Sequence, residues 1–333
     1  MECFNFSNKI SNKMAAFDLD GTIIKTKSGR RFPKDKDDWQ LINDSIKIKL
    51  SSLIDDGYAI IIFTNQKNLE KRLGVEAFRE KCKNIQTQLE IPMIFYVALI
   101  NNYMRKPFPG MFQVYNKNHK ISLKDSFYVG DAWSKTECFS DSDLCFAKNC
   151  NLSFYKAKEF FSSNPKIYDH IYIDLFPKVD FGLNGLNEFV KDKQYLFIIS
   201  PPASGKSTFC KKYLGEYIRL SKDDYRTPSK YRKAINKNLG DKIVFDNTNA
   251  NRDKILSYLK DSDKIGYIIR NISKEQSFYL NKYRHFITKG GAKLLPDVAI
   301  HTYYKRVIYP EGVNVFIINS SWIEGGDLVK FYC

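Results

Sequence analysis

Asp18-Leu19-Asp20-Gly21-Thr22 sets two carboxylates two residues apart directly after the apolar run Met14–Phe17, with a glycine to turn the chain away. One such carboxylate can attack phosphorus and become a phospho-aspartate, while the other protonates the departing alkoxide and then activates water. Three further signals end apolar runs in the same half of the chain. Ile60-Ile61-Ile62-Phe63 leads into Thr64-Asn65-Gln66, a hydroxyl and an amide for phosphate oxygens. Arg105-Lys106-Pro107 supplies a cation to neutralise a phosphorylated aspartate, and Phe127-Tyr128-Val129 ends in Gly130-Asp131, a carboxylate suited to an oxygen-ligated Mg²⁺. A lone pair of acids is commonly a helix cap or plain surface. The order acid, Thr, Lys, Asp is what makes phosphate-ester chemistry the better reading.

A second set lies in the other half. Ser200-Pro201-Pro202-Ala203-Ser204-Gly205-Lys206-Ser207-Thr208 follows the apolar run Tyr195–Ile199 and matches the phosphate-cradling pattern GxxxxGK[ST] except that Ser200 stands where the first glycine would be. In such a loop backbone N–H groups wrap the phosphates of ATP, the lysine reaches the β- and γ-phosphates, and the serine, here Ser207, ligates Mg²⁺. A helix is expected from near Phe209. Phosphoryl transfer to a hydroxyl also needs a base and further cations. Leu220-Ser221-Lys222-Asp223-Asp224-Tyr225-Arg226 offers an acid with an arginine three residues on, and Val244-Phe245-Asp246-Asn247 ends an apolar run in another acid. Taken alone, the first of these would pass as a charged surface loop.

The elements that must position these groups alternate. Apolar runs at 14–17, 59–63, 93–98 and 127–129 read as buried parallel strands, with helical stretches at 45–56 and 75–89 between them. A second strand–helix series follows, with runs at 195–199, 242–245 and 264–269. The pattern predicts two doubly wound α/β domains, whose ligands sit beyond the carboxyl ends of the strands. Residues 1–164 are expected to form the first domain and 195–333 the second. The join, 165–194, carries Pro165, Pro177, Gly182 and Gly185 and has no clear period, so it reads as a linker or the start of the second domain.

Asp18-x-Asp20-Gly21-Thr22, Thr64, Lys106 and Gly130-Asp131 resemble the haloacid dehalogenase superfamily of phosphatases. Thr26-Lys27-Ser28-Gly29, Asp38-Trp39, Phe63-Thr64-Asn65-Gln66, Tyr103-Met104-Arg105-Lys106-Pro107 and Tyr128-Val129-Gly130-Asp131-Ala132 narrow the resemblance to the phosphatase domain of the eukaryotic polynucleotide kinase 3′-phosphatase family. It implies that Asp18 is the nucleophile and Asp20 the general acid/base. It also implies that Asp18, the Asp20 carbonyl and Asp131 hold Mg²⁺, and that the family's further downstream acid falls at Asp143. Thr64 and Lys106 join the catalytic set, with Asn65 and Arg105 toward the substrate. In the second half the resemblance makes Asp223 the general base and Arg226 a grip on the acceptor strand's phosphate. Asp246 becomes a metal or acceptor contact. Asn281-Lys282-Tyr283-Arg284 is similar to the family's lid, whose arginine would stabilise charge on the transferring phosphoryl. The implied activity is removal of 3′-phosphates and ATP-dependent phosphorylation of 5′-hydroxyls on nucleic acid. The order phosphatase then kinase resembles the DNA-repair branch, so DNA is expected over RNA. About a dozen residues precede the first expected strand, too few for the forkhead-associated module of many animal members, and no partner recruited through one is expected.

Composition agrees with a polyanionic partner. The chain of 333 residues carries a formal charge of +16, with 25 lysines and arginines against 19 acids in residues 1–164 and 28 against 18 in residues 165–333. A basic balance alone often reflects solubility, so here it supports the motifs without replacing them. Seven cysteines without a CxxC pair point to a reducing compartment, nuclear or cytoplasmic, and four histidines far apart in sequence match no zinc-ligand spacing, so histidine-based metal chemistry is not expected. Without an apolar run of about 18 residues or a leader pattern, no membrane association is expected; a monomer is. Two other readings share parts of this sequence: a scaffold descended from such an enzyme with one dead site, and a small-molecule phosphatase fused to a metabolite kinase. RNA end-healing is the alternative within the same chemistry.

Overall fold

Short apolar runs buried at every position, with alternate side chains facing two different layers, decide the architecture. In Met14–Phe17, Ala15 and Phe17 face one apolar layer and Met14 and Ala16 the other, and the neighbouring isoleucines 60–62 divide in the same way. A strand buried on both faces needs helices on both, and those helices must have apolar stripes. Ser45–Asp55 supplies Ile46, Leu50 and Leu53 to the first layer, and Val75–Leu89 supplies Phe78, Cys82, Ile85 and Leu89. Gly110–His119 and Ser142–Asn149 cover the opposite face. Each fully buried aliphatic or aromatic side chain in these layers contributes roughly 1.5–3 kcal/mol.

The computed structural model describes residues 1–7, 11–162, 165–169, 183–259, 264–312, 314–318 and 331–333. It divides into two compact units, Met1–Tyr172 with Lys330–Cys333, and Ile173–Val329.

Unit 1 holds a six-stranded sheet of β1 (Glu2–Phe6), β2 (Met14–Phe17), β3 (Ala59–Asn65), β4 (Met93–Ala98), β5 (Phe127–Gly130) and β6 (Ser153–Lys156), in the order β1-β4-β3-β2-β5-β6. All pairs are parallel except β1 with β4. The antiparallel edge strand β1 and the strand β6 are not foreseen in the sequence, because both are short and polar in part. Unit 2 holds β7 (Tyr195–Ile199), β8 (Ile218–Leu220), β9 (Ile243–Phe245), β10 (Ile265–Arg270) and β11 (Val315–Ile318), all parallel, in the order β8-β9-β7-β10-β11. Both units are therefore doubly wound α/β sheets of the expected class.

Three details differ from the sequence reading. The helix expected near Phe209 begins at Lys206, because Gly205 at φ +88° turns the chain straight into it. Part of the join, 170–182 with Pro177 and Gly182, lies outside the described residues; of the rest, helix Leu186–Lys191 already packs Leu186 against Leu196 and Phe209 in the core of unit 2. The last residues of the sequence belong to unit 1, where Phe331 is buried against Phe108.

Candidate active sites

Three adjacent strands of unit 1 end on one side, and the acids stand at those ends. Asp18 is the first residue past β2, Thr64 lies at the end of β3, and Asp131 follows β5. Asp18 is anchored by its N–H, which donates to the Val129 carbonyl at 2.9 Å. Lys106 enters from the segment after β4. Its ammonium donates to Asp18 Oδ1 at 2.5 Å, Asp143 Oδ1 at 2.7 Å and the Tyr128 hydroxyl at 2.8 Å, so all three donors are engaged. Asp143, at the start of helix Ser142–Asn149, also accepts from the Ala132 N–H at 3.0 Å and from Tyr128 at 3.1 Å. Asn65 grips the backbone of Lys106 at both ends, accepting from its N–H at 3.0 Å and donating to its carbonyl at 3.1 Å. The side chain expected to face phosphate is thus used to hold the lysine.

Asp20 points to a more open side, its carboxylate about half exposed. Gln66 Nε2 donates to Asp20 Oδ2 at 2.6 Å and to the Thr64 hydroxyl at 3.0 Å, and Lys81 Nζ lies 3.9 Å from Asp20 Oδ1. Two glycines make these approaches possible. A Cβ on Gly21, at φ +88°, would sit 2.1 Å from Asp131 Oδ2, and one on Gly130 would sit 2.5 Å from the Asp143 Cβ.

Burial dominates the titration of this cluster. It holds the Asp18 carboxyl well above the usual range against the pull of Lys106, with Asp143 and Asp131 adding repulsion. Asp131 is pushed up to about 7 by burial and then by Asp143. Lys106 is raised, because the two carboxylates outweigh the cost of burying its charge. Such crowding of acids calls for a cation. Carboxylate oxygens of Asp18, Asp131 and Asp143 lie within 4.8 Å of one another, and the buried Asp131 Oδ1 has no hydrogen-bond partner among the described residues. An all-oxygen donor set with an unpartnered carboxylate oxygen fits a hard divalent ion.

Unit 2 repeats the logic at the carboxyl ends of its own strands. The loop after β7 takes positive φ at Ala203 (+63°) and Gly205 (+88°) and not at Ser200, which is why a serine is accommodated there; its buried hydroxyl has no partner among the described residues. Lys206 is the first residue of helix Lys206–Tyr213, with Ser207 and Thr208 following in the first turn. Its ammonium donates to the Pro201 carbonyl at 2.7 Å. Burial lowers its pKa to about 8, with Asp246 and Asp223 opposing the shift and Arg270 adding to it. Asp246, just past β9, is buried and meets Arg219 Nη1 at 3.2 Å; the same guanidinium reaches Asp224 at 3.1 Å. Asp223 sits in the short 3₁₀ turn Lys222–Asp224, capped by Ser221, and is exposed, as is Arg226. Helix Lys274–Ile287 touches the loop through Ser277, whose hydroxyl donates to the Pro202 carbonyl at 3.1 Å. Arg284 lies two turns further along, about 10 Å by helical rise. Its guanidinium donates to the Lys293 carbonyl at 2.9 Å, so in this structure it is not brought to the loop.

Residues 13–161 match the family described as polynucleotide kinase 3 phosphatase. The bifunctional polynucleotide phosphatase/kinase of Schizosaccharomyces pombe is 31% identical over 318 residues, an alignment spanning 91% of this chain and 77% of that one. The chain belongs to the bifunctional polynucleotide phosphatase/kinase family. A protein of Acanthamoeba polyphaga mimivirus aligns over nearly as much, 28% identical across 90% of this chain and 82% of its own. The polynucleotide 3′-phosphatase of Saccharomyces cerevisiae, 27% identical, covers 44% of this chain and 86% of itself.

Within this family member the sequence reading leaves several groups unassigned. Tyr128 and Gln66 stand in its motifs without a role of their own. Lys81 is missed altogether, although a signal exists: Phe78, Cys82, Ile85 and Leu89 mark the buried stripe of its helix, and a lysine inside that stripe must have a charged partner.

Proposed function

We propose that this chain heals nucleic-acid ends, removing a 3′-phosphate in unit 1 and transferring the γ-phosphate of ATP to a 5′-hydroxyl in unit 2. The observation that carries this reading is the Asp18–Lys106–Asp143 cluster with Asp131 beside it, built on the same chain as a phosphate loop whose lysine, Lys206, is turned back onto the loop's own Pro201 carbonyl.

In unit 1 the Asp18 carboxylate attacks phosphorus and the 3′-oxygen leaves. Asp20, oriented by Gln66, gives that oxygen a proton and afterwards takes one from the water that hydrolyses the phospho-aspartate. Lys106 keeps Asp18 aimed and offsets negative charge as it builds on the phosphoryl group, with the Thr64 hydroxyl as a further donor. A Mg²⁺ held by Asp18, the Asp20 carbonyl and Asp131 would neutralise the phosphate as it approaches three acids. Arg105, whose buried Nη1 has no hydrogen-bond partner among the described residues, is the proposed substrate contact, while Asn65 acts through the Lys106 backbone. The cavity next to Asp20 is lined in part by Gln66, Arg72 and Lys81, and the Arg72 guanidinium lies 4.5 Å from the centre of the exposed Phe32 ring. A cation stacked on an aromatic is the kind of edge on which a strand's base and backbone can rest.

In unit 2, Lys206 and the loop N–H groups hold the ATP phosphates, and Ser207 the metal. Asp223 accepts the proton of the 5′-hydroxyl, Arg226 grips the acceptor strand, and Asp246 contacts metal or acceptor. Arg284 would have to give up Lys293 and move toward the loop to act on the transferring phosphoryl. A scaffold role is disfavoured by the intact acids and the intact lysine.

DNA is the proposed substrate over RNA, on the family branch the domain order resembles. Matched DNA and RNA oligonucleotides, each with a 3′-phosphate and a 5′-hydroxyl, should be processed faster as DNA at both ends. Because each phosphate contact releases counterions, a strand held by several contacts should lose on the order of 10-fold or more in affinity between about 50 and 200 mM salt. Equal rates on RNA would overturn the DNA assignment, and affinity indifferent to salt would favour a small-molecule substrate.

A further inference from the structure

The catalytic lysine of unit 1 is held from both sides, and on one of them the holder comes from the far end of the sequence. Inside, Asn65 fixes the Lys106 backbone and Asp18 and Asp143 its ammonium. Outside, the next carbonyl, that of Pro107, accepts from Asn149 Nδ2 at 2.9 Å. Asn149 is the last residue of helix Ser142–Asn149, the helix whose first turn carries Asp143. The Asn149 amide is itself locked by the peptide of Tyr332: Nδ2 donates to the Tyr332 carbonyl at 2.8 Å, and Oδ1 accepts the Tyr332 N–H at 2.8 Å. A paired contact of this kind fixes the amide plane, so Nδ2 can meet Pro107 in one orientation.

A second contact reinforces the first. Phe331, 5% exposed, stacks on Phe108 with ring centroids 5.6 Å apart and planes 7° from parallel, and Phe108 in turn stacks on Tyr103 at 6.0 Å. Lys148 lies over the Tyr332 ring and Lys135 donates to the Cys333 carbonyl at 3.1 Å. Residues 103–108 carry Lys106, so the segment that delivers the lysine is clamped at Pro107 through Asn149 and at Phe108 through Phe331.

We infer that residues 331–333, which follow the whole of unit 2 in sequence, are a positioning element of the phosphatase site, setting Lys106 through Asn149 and Phe108. Phe331, Asn149 and the Tyr332 peptide touch no reacting atom in this account; they act through the lysine. The inference rests on Lys106 serving the phosphatase as proposed above. A displacement of about 1 Å in a catalytic group can cost up to a hundredfold in rate, and the lysine is built to act as charge moves onto the phosphoryl group. The loss should therefore fall on kcat.

The test uses the full chain and follows phosphate release from a 3′-phosphorylated oligonucleotide, with 5′-phosphorylation measured on the same preparations. Phe331→Ala and Asn149→Ala should each lower the phosphatase kcat by about tenfold with KM little changed, while kinase rates stay at the wild-type level. Phe331→Leu, which still fills the site, should recover most of the rate. The double variant should be little worse than either single one, because both act through one clasp. Phosphatase kinetics unchanged in Phe331→Ala would overturn the inference, as would losses that multiply in the double variant or that reduce kinase and phosphatase in equal measure. A wild-type protein that released no 3′-phosphate would instead contradict the function proposed for unit 1.

Discussion

Asp18→Asn should abolish 3′-phosphate release, by on the order of 10⁴-fold or more, while the kinase rate stays within about twofold of wild type. The amide keeps the size and many of the contacts of the carboxylate, but it cannot form the phospho-aspartate. The site is also constructed around that charge: Lys106 is fully buried and balanced by Asp18 and Asp143. Removing one partner leaves Asp143 to balance the lysine, so the fold of unit 1 should survive with a modest loss of stability, whereas Lys106→Ala would leave crowded carboxylates unopposed and cost about 3–5 kcal/mol. Phosphate release assayed by colour, next to 5′-labelling with γ-labelled ATP, separates the two activities. Wild-type phosphatase rates in Asp18→Asn would show that another group is the nucleophile.

The reciprocal variant, Lys206→Ala, should lower 5′-phosphorylation by on the order of 10³-fold and spare the phosphatase. A second readout ties that loss to the lysine's charge. Burial sets the Lys206 pKa at about 8 in the free protein, below its ordinary value. Phosphates in the loop favour the ammonium, so the pKa rises on nucleotide binding. Well below pH 8 the lysine is already charged and almost nothing is taken up. At about pH 9 it is largely neutral when free and charged when bound, so binding should take up close to one proton. Calorimetry of ATP binding in two buffers of different ionisation heat reads that proton directly, and Lys206→Ala should lose it. ATP binding at pH 9 with no proton uptake in the wild type would contradict the placement of Lys206 against the phosphates.

Much of both sites is legible in the sequence because parallel α/β sheets place chemistry at strand ends, and strand ends are visible. Asp18, Thr64, Asp131 and Asp246 each follow an apolar run that could be little else. The uses of Asn65 and Asp143 follow from the folded structure alone. An amide after a strand can face substrate or grip a neighbouring backbone equally well, and the stretch Asp141-Ser142-Asp143 offers two acids, of which helix geometry turns the second onto Lys106. Lys81 is not legible as a site residue because lysines are mostly exposed, although its helix positions it among buried residues. Residues 331–333 were beyond any local reading. Their place against Phe108 and Asn149 is a contact across about 180 to 220 positions, and three residues have no period from which to infer a face. The phosphate-loop helix begins three residues before the start expected near Phe209 for a local reason, since Gly205 permits a turn that other residues resist.

The most direct measurement is the fate of one molecule: a DNA oligonucleotide with a 5′-hydroxyl and a 3′-phosphate, incubated with the wild-type protein, ATP and Mg²⁺ and weighed by mass spectrometry. The account predicts a product with a 5′-phosphate and a 3′-hydroxyl, passing through singly processed intermediates of both kinds. It predicts that Asp18→Asn stops at the strand bearing phosphates at both ends and Lys206→Ala at the strand bearing none. An oligonucleotide recovered with both ends unchanged, under conditions where the protein hydrolyses sugar phosphates or phosphorylates free nucleosides, would contradict it.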